Sequence, residues 1–391
     1  MTRRWGGGTA LLLAALLSAA CTEKVVLDHP VGAGGGGGAF GLGGGIGNGG
    51  NGFGDGGVSD AAGDSRLHCS NGQSIAVNVS QEVPSIMFAV DRSPTMRMPL
   101  DGTMARFAVT RDAINAALNK YQQLATFGYV EFPGDGNDSS CGDCCAGGFV
   151  PLISPSNTNN AQTAIMPMMN QCWSLSMQQY NCIGSSESPS GQALQKIART
   201  FRNTSTSAGQ LYALLLTDGP PSCAVFDPMA PDFCDQTASQ ISDMNIGPPK
   251  IGTFVVVLGT VTDSKNIQCF NNLASAGATS GGGSSYYPAD TEALVGFQID
   301  RILSSTVCRL NISPNQQPFD QNPARIEVDV KNGQPILNTD ASNGYAVTTT
   351  ASGTHIDFVG TACTMLIGAL KSSPRSISVR GCQPLFPSPP R

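Results

Sequence analysis

An apolar run, Ile86-Met87-Phe88-Ala89-Val90, ends abruptly on Asp91, and hydroxyls follow at alternate positions, Ser93 and Thr95. One carboxylate and two hydroxyls, fixed in a turn at a strand's C-terminal end, make a small all-oxygen cluster. Such donors suit a hard divalent cation, Mg2+ or Mn2+, which takes oxygen ligands in near-octahedral array and keeps some water. An open coordination position on that ion would accept a carboxylate from a partner protein. Two further stretches carry similar groups. Leu211–Leu216 is a second strongly apolar run, ending on Thr217-Asp218-Gly219, and Ser188-Pro189-Ser190-Gly191-Gln192-Ala193-Leu194 is a hydroxyl-rich loop opening a helix.

The elements that must position these groups alternate from Val83 to about Leu310. Strands are expected at Ile86–Val90, Thr126–Phe132, Leu211–Leu216 and Ile251–Leu258, with Phe149–Ile153 as a short edge strand. Helices are expected over Arg106–Tyr121, Ala161–Met169 (interrupted by Pro167), Gly191–Phe201, Ile267–Ala274 and Glu292–Leu303. This predicts an α/β fold, a doubly wound and mostly parallel sheet covered on both faces. Ligands of such sheets bind beyond the carboxyl ends of the strands, where the strand order reverses. Asp91 and Asp218 meet there if their strands are neighbours. Beyond Cys308, short β-type runs at Arg325–Val330, Tyr345–Thr350, His355–Val359 and Ser376–Arg380 are separated by Gly, Asn and Pro turns. They predict a small C-terminal all-β module over 309–391, held by Cys363 and Cys382.

Asp-Arg-Ser-Pro-Thr-Met, then Ser-Pro-Ser-Gly-Gln-Ala-Leu, then Leu-Leu-Leu-Thr-Asp-Gly resemble the three loops of a von Willebrand factor type A domain. The resemblance covers about residues 83–308, with a Cys-rich insert at 134–187, and implies that family's Rossmann-like fold and its metal-ion-dependent adhesion site. It implies direct or water-mediated ligation of Mg2+ or Mn2+ by Asp91, Ser93, Thr95, Ser188 and Asp218. Thr95 stands where the family usually has Ser, and Ser188 where it has Thr; both keep a hydroxyl. The partner so implied is a protein or extracellular-matrix ligand offering a carboxylate, and no small-molecule substrate is expected. The family also places the loop between the second and third strands on the metal's side. Cys141, Cys144 and Cys145 fall in that loop, and Cys223 and Cys234 follow Asp218 closely, so a disulfide-braced rim is expected. The alternative for Cys141-x-x-Cys144-Cys145 is a zinc ion.

The N-terminus has an export pattern. Arg3 and Arg4 precede an apolar run through Leu11, Leu12, Leu13, Leu16 and Leu17 that reaches Ser18-Ala19-Ala20-Cys21. It resembles a bacterial lipoprotein signal, cleaved after residue 20 so that Cys21 carries the lipid, although the expected Leu is displaced by one position, to Leu17. The alternative is ordinary cleavage with a free Cys21. A stub at 21–31, a glycine tract at 32–57 and a Cys-containing lead-in at 58–82 follow. The tract cannot bury enough surface to offset its ordering entropy, and as a flexible tether it would span roughly 25–30 Å. Of 13 cysteines, 12 remain for pairing once Cys21 is set aside: Cys69, Cys141, Cys144, Cys145, Cys172, Cys182, Cys223, Cys234, Cys269, Cys308, Cys363 and Cys382. An oxidising compartment would pair them. Thr22 supplies no inner-membrane retention signal, which favours the outer membrane of a bacterial envelope. In layout the chain is also similar to surface lipoproteins of gliding myxobacteria.

Composition narrows the function classes. The formal charge of -6 and the scattered Lys and Arg give no phosphate-tracking surface, which argues against a nucleic-acid partner. Asp91-Arg-Ser-Pro-Thr is superficially similar to a haloacid dehalogenase phosphatase loop, but Ser93 stands where that chemistry needs a second acid. The histidines, His29, His68 and His355, adjoin no plausible nucleophile. A non-enzymatic, adhesin-like envelope protein is therefore expected. The alternatives are a structural docking subunit without metal-dependent binding and, less favoured, a metal-dependent hydrolase.

Overall fold

Long apolar runs without polar interruption form strands buried on both faces, and here they build the centre of the molecule. The computed structural model describes residues 74–81, 83–102, 104–134, 146–155, 158–171, 173–174, 179–180, 187–204, 209–223, 232–279, 286–313, 326–330, 334–336, 343–350, 353–372 and 377–382. The export segment, Cys21, the glycine tract, Cys69, Cys141, Cys144, Cys145, Cys172 and Cys182 lie outside the described residues.

In chain order, β1 (Ser74–Val77) and β2 (Val79–Gln81) precede β3 (Ser85–Asp91), a 3-10 turn (Pro94–Arg97) and α1 (Arg106–Tyr121). Then come β4 (Thr126–Phe132), β5 (Phe149–Ile153), α2 (Asn160–Gln171), β6 (Trp173–Ser174) and β7 (Gln179–Tyr180). The next group is α3 (Ser190–Asn203), β8 (Leu211–Thr217), α4 (Phe233–Ile246), β9 (Ile251–Leu258), α5 (Ser264–Ala276), β10 (Tyr287–Ala289) and α6 (Glu292–Val307). The last is β11 (Arg309–Ile312), β12 (Ile326–Val330), β13 (Gln334–Ile336), β14 (Tyr345–Thr350), β15 (Gly353–Phe358), α7 (Gly360–Ser372) and β16 (Ile377–Cys382).

Six strands in the order β10-β9-β8-β3-β4-β5 form the central sheet, parallel throughout except for the edge pair β4–β5. The pleat sends alternate side chains to opposite faces. Ile86, Phe88 and Val90 of β3 pack with Phe107, Ile114 and Leu118 of α1 and with Ile299 and Leu303 of α6. Met87 and Ala89 pack on the other face with Leu194, Ile197 and Phe201 of α3, Ile241 of α4 and Phe270 of α5. Each such Val, Leu, Ile, Phe or Met side chain contributes about 1.5–3 kcal/mol on burial. The expected α/β, doubly wound architecture is therefore observed. The strand order reverses at β3, whose neighbours are β8 on one side and β4 on the other. Val90 is in register with Leu216, so the ends of β3 and β8 emerge side by side.

Two α-helices were not expected from the sequence. Helix α4 has a weakly apolar interior, but Asp232 accepts hydrogen bonds from the backbone N–H groups of Cys234 and Asp235 and so caps its start. Helix α7 corrects the reading of the C-terminal module as all-β. The antiparallel strands are present, in sheets ordered β1-β16-β12-β13 and β14-β15-β11-β2, but α7 packs its buried Leu366, Ile367 and Leu370 into their core. The place of Cys363 is also corrected. Cys363 sits on α7 and bonds Cys308, the C-cap of α6, with their Cα atoms 5.4 Å apart; Cys382 is disulfide-bonded elsewhere. A second disulfide, Cys234–Cys269, joins α4 to α5, and Cys223 is disulfide-bonded too. One hydrophobic cluster runs continuously from the α1 and α6 face of the central sheet into both antiparallel sheets. Among the described residues, no helix is long and apolar enough to cross a membrane.

Candidate functional site

Asp91 is the last residue of β3 and is fully buried. Its Oδ1 accepts a hydrogen bond from the Ser93 amide at 2.8 Å, which folds the chain back at the strand end. Its Oδ2 accepts from Thr217 Oγ1 at 2.7 Å and from Ser188 Oγ at 3.0 Å. Pro94 starts the 3-10 turn that carries Thr95, since its fixed φ suits a first helical position and its missing N–H is no loss there. Ser93 Oγ and Thr95 Oγ1 are 3.0 Å apart, and Thr95 Oγ1 donates to Asp218 Oδ1 at 2.9 Å. Ser188 is fixed by Ser222, whose Oγ accepts from the Ser188 amide at 2.6 Å while its own amide donates to Ser188 O. All five residues expected from the sequence, Asp91, Ser93, Thr95, Ser188 and Asp218, thus share one hydrogen-bonded cluster at the reversal of strand order.

The electrostatics of this cluster are unusual for a protein interior. Burial first, and the neighbouring charge of Asp218 second, push the Asp91 carboxyl from 3.8 up to about 6, against the opposing pull of hydrogen bonds from Ser93 and Thr217. The Asp218 side chain is also buried, and its Oδ2 accepts from Arg106 Nη1 at 2.7 Å. Thr95 is exposed and marks the open side of the cluster. The donor set is two carboxylates and three hydroxyls, a hard oxygen array whose chemistry fits Mg2+ or Mn2+. Among the described residues, no group of three or more His, Cys, Asp or Glu could hold a metal ion.

Some neighbours were not singled out from the sequence. Thr217 Oγ1 lies 2.7 Å from Asp91 Oδ2 and 2.8 Å from Gly219 O, so its single proton is shared between two acceptors; its hydroxyl beside Asp218 was the available signal. Arg106 opens α1, and nothing in its spacing linked it to Asp218. Arg92 is buried and forms an ion pair with Glu131, Nη1 to Oε1 at 2.8 Å, while its Nε donates to Pro133 O at 2.7 Å. Tyr129 Oη donates to the other Glu131 oxygen at 3.1 Å. His355 lies on β15, in a different sheet from the cluster, with Nε2 at 3.6 Å from Asp357 Oδ2.

The sequence matches no family model, and no curated protein matches it. Several solved structures are similar. The open form of the pilus adhesin SpaC from Lactobacillus rhamnosus GG is 13% identical over 76% of this chain, with a TM-score of 0.45. This chain spans 38% of the length of that adhesin. A von Willebrand factor type A protein from Catenulispora acidiphila is 12% identical over 78% of this chain and 59% of its own, with a TM-score of 0.41. Manganese-loaded TRAP protein of Plasmodium vivax is 12% identical over 57% of this chain and 75% of its own, with a TM-score of 0.35. With every one of these TM-scores below 0.5, they do not bear on the chemistry of the site.

Proposed function

We propose that this chain is a non-enzymatic binding protein of the cell envelope that captures an acidic group on a protein or matrix partner through a divalent metal ion. The observation that carries this reading is the pair of buried carboxylates, Asp91 and Asp218, brought together with Ser93, Thr95 and Ser188 at the carboxyl ends of adjacent strands. Asp91, Ser93, Thr95, Ser188 and Asp218 would hold Mg2+ or Mn2+, directly or through water. When bound, the ion supplies an electrophilic coordination position that a carboxylate can complete. The chain's own residues do the rest. The Ser93 amide and Thr217 orient the Asp91 carboxylate, Ser222 orients Ser188, and exposed Thr95 lies where a partner approaches. As with a von Willebrand factor type A domain, the donors are few and three of the five are neutral hydroxyls, which leaves room in the shell for a partner's carboxylate. Lipidation at Cys21 and the glycine tract at 32–57 would hold this head away from an outer-membrane surface.

A thermal melt tests the reading, with the unsubstituted protein and Asp91→Ala side by side in EDTA and then in millimolar Mg2+ or Mn2+. Ligand that binds only the native state raises its stability by mass action. A metal-dependent rise confined to the unsubstituted protein is expected. The same melting temperature with and without metal would leave a docking scaffold and remove the basis for metal-dependent capture.

A further inference from the structure

Arg106 is the one cation paired with the cluster among the hydrogen bonds described above, and several features build it into place. Its backbone amide donates to Met98 O at 3.0 Å, and the neighbouring Ala105 forms a β-bridge with Pro99, so the turn between the 3-10 segment and α1 is closed. Its guanidinium lies against Gly259, the residue that follows β9. That glycine has a φ of +89°, and a Cβ there would stand 2.9 Å from Nη2 and 3.0 Å from Cζ. The absence of a side chain at 259 therefore leaves the space that the guanidinium fills. From this slot Nη1 reaches Asp218 Oδ2 at 2.7 Å, while Asp218 Oδ1 is turned towards Thr95. The Arg106 side chain remains 22% exposed, beside the open side of the cluster.

Resting on the metal-site reading above, we propose that Arg106 is a resident counter-cation which competes with an incoming divalent ion for Asp218. Two carboxylates alone would neutralise a divalent ion completely. With the guanidinium retained, the loaded cluster carries one net positive charge, on the side where a partner's carboxylate arrives. Arg106 thus weakens the hold on the metal and strengthens the pull on the anionic partner. A guanidinium keeps its charge at any physiological pH, so this compensation is permanent.

Isothermal titration calorimetry of the full chain with MgCl2 tests this, using Arg106→Gln, Arg106→Met as a second charge-free replacement, Arg106→Lys and Asp91→Ala, each checked for native near-UV circular dichroism. An opposite charge in contact with a carboxylate shifts its affinity for a proton by about ten-fold or more, and a divalent ion feels at least as much. Both charge-free variants should therefore bind Mg2+ about ten-fold tighter than the unsubstituted protein, while Arg106→Lys stays close to it. Equal or weaker binding by the charge-free variants, or Arg106→Lys binding as tightly as they do, overturns the proposal. If Mg2+ binding in the unsubstituted protein is abolished by Asp91→Ala but unchanged by loss of the Arg106 charge, only the role of Arg106 falls. If no folded form takes up Mg2+, the metal-site reading falls and this proposal with it.

Discussion

Asp91 and Arg92 are consecutive, both buried, and opposite in charge, yet their surroundings treat them differently. Arg92 points into a closed arrangement in which Glu131, Pro133 O, Tyr129 and the Gly148 amide complete the pair. Asp91 faces a second buried carboxylate, Asp218, across a set of hydroxyls, and its carboxyl is pushed upward, first by burial and then by that neighbouring charge. One cluster pairs its carboxylate with a guanidinium at 2.8 Å, and the other keeps negative charge that a cation can relieve. A strand end can serve both purposes because successive side chains leave it in opposite directions. Arg92 fastens the turn to β4, and Asp91 presents the chemistry.

The sharpest way to break this contrast is to open the closed cluster. Arg92→Met leaves Glu131 buried without its partner and should destabilise the protein by about 3–5 kcal/mol, with or without Mg2+. A double Arg92→Met/Glu131→Met variant should recover much of that loss in urea melts, because a buried pair replaced by apolar groups costs little. The open cluster should respond to metal instead. At about 100 times the dissociation constant, Mg2+ should add about 2.7 kcal/mol to the stability of the unsubstituted protein and nothing to Asp91→Asn.

Acidity separates the clusters again. The Asp91 carboxyl lies at about 6 in the native state, above its ordinary 3.8. The metal-free native state therefore binds a proton more readily than the unfolded chain does. Stability from this group is fully present below its ordinary value and is lost as pH rises through the native one. Urea melts in EDTA should show about 1–1.5 kcal/mol less stability at about pH 7.5 than at about pH 5, and Asp91→Asn should remove this part of the difference. The smallest effect concerns Thr217. Thr217→Val deletes a hydroxyl that donates to Asp91, should cost about 1 kcal/mol, and should raise the Asp91 carboxyl further, as carboxyl-region NMR titration would register.

Much of this was legible in the sequence, and the limits have physical causes. Thr126–Phe132 and Ile251–Leu258 are strands over the very residues that their apolar runs marked, because buried parallel strands carry that signal without help from neighbours. Asp91, Ser93, Thr95, Ser188 and Asp218 could be grouped because their three loops, in order, resemble those of a von Willebrand factor type A domain. Arg106 could not be grouped with them. Its role depends on the Gly259 slot, which lies far away in the chain and is created by the fold. Helix α7 was missed because small and apolar residues occupy nearly every position from Ala362 to Leu370, leaving little polar face to reveal a helical period. Cys363 was consequently placed among strands, whereas it sits on α7 and bonds Cys308.

The segment that leads into β3 has a mechanical meaning. β1 and β2 are separated by one residue, Asn78, yet β1 lies on the edge of one antiparallel sheet and β2 on the edge of the other. β1 is hydrogen-bonded to β16 over four residue pairs, and β2 to β11 over three. A pull entering at Ser74 and resisted at Asp91 must strip both strands before it can load β3. The two small sheets therefore act as a buckle ahead of the central sheet.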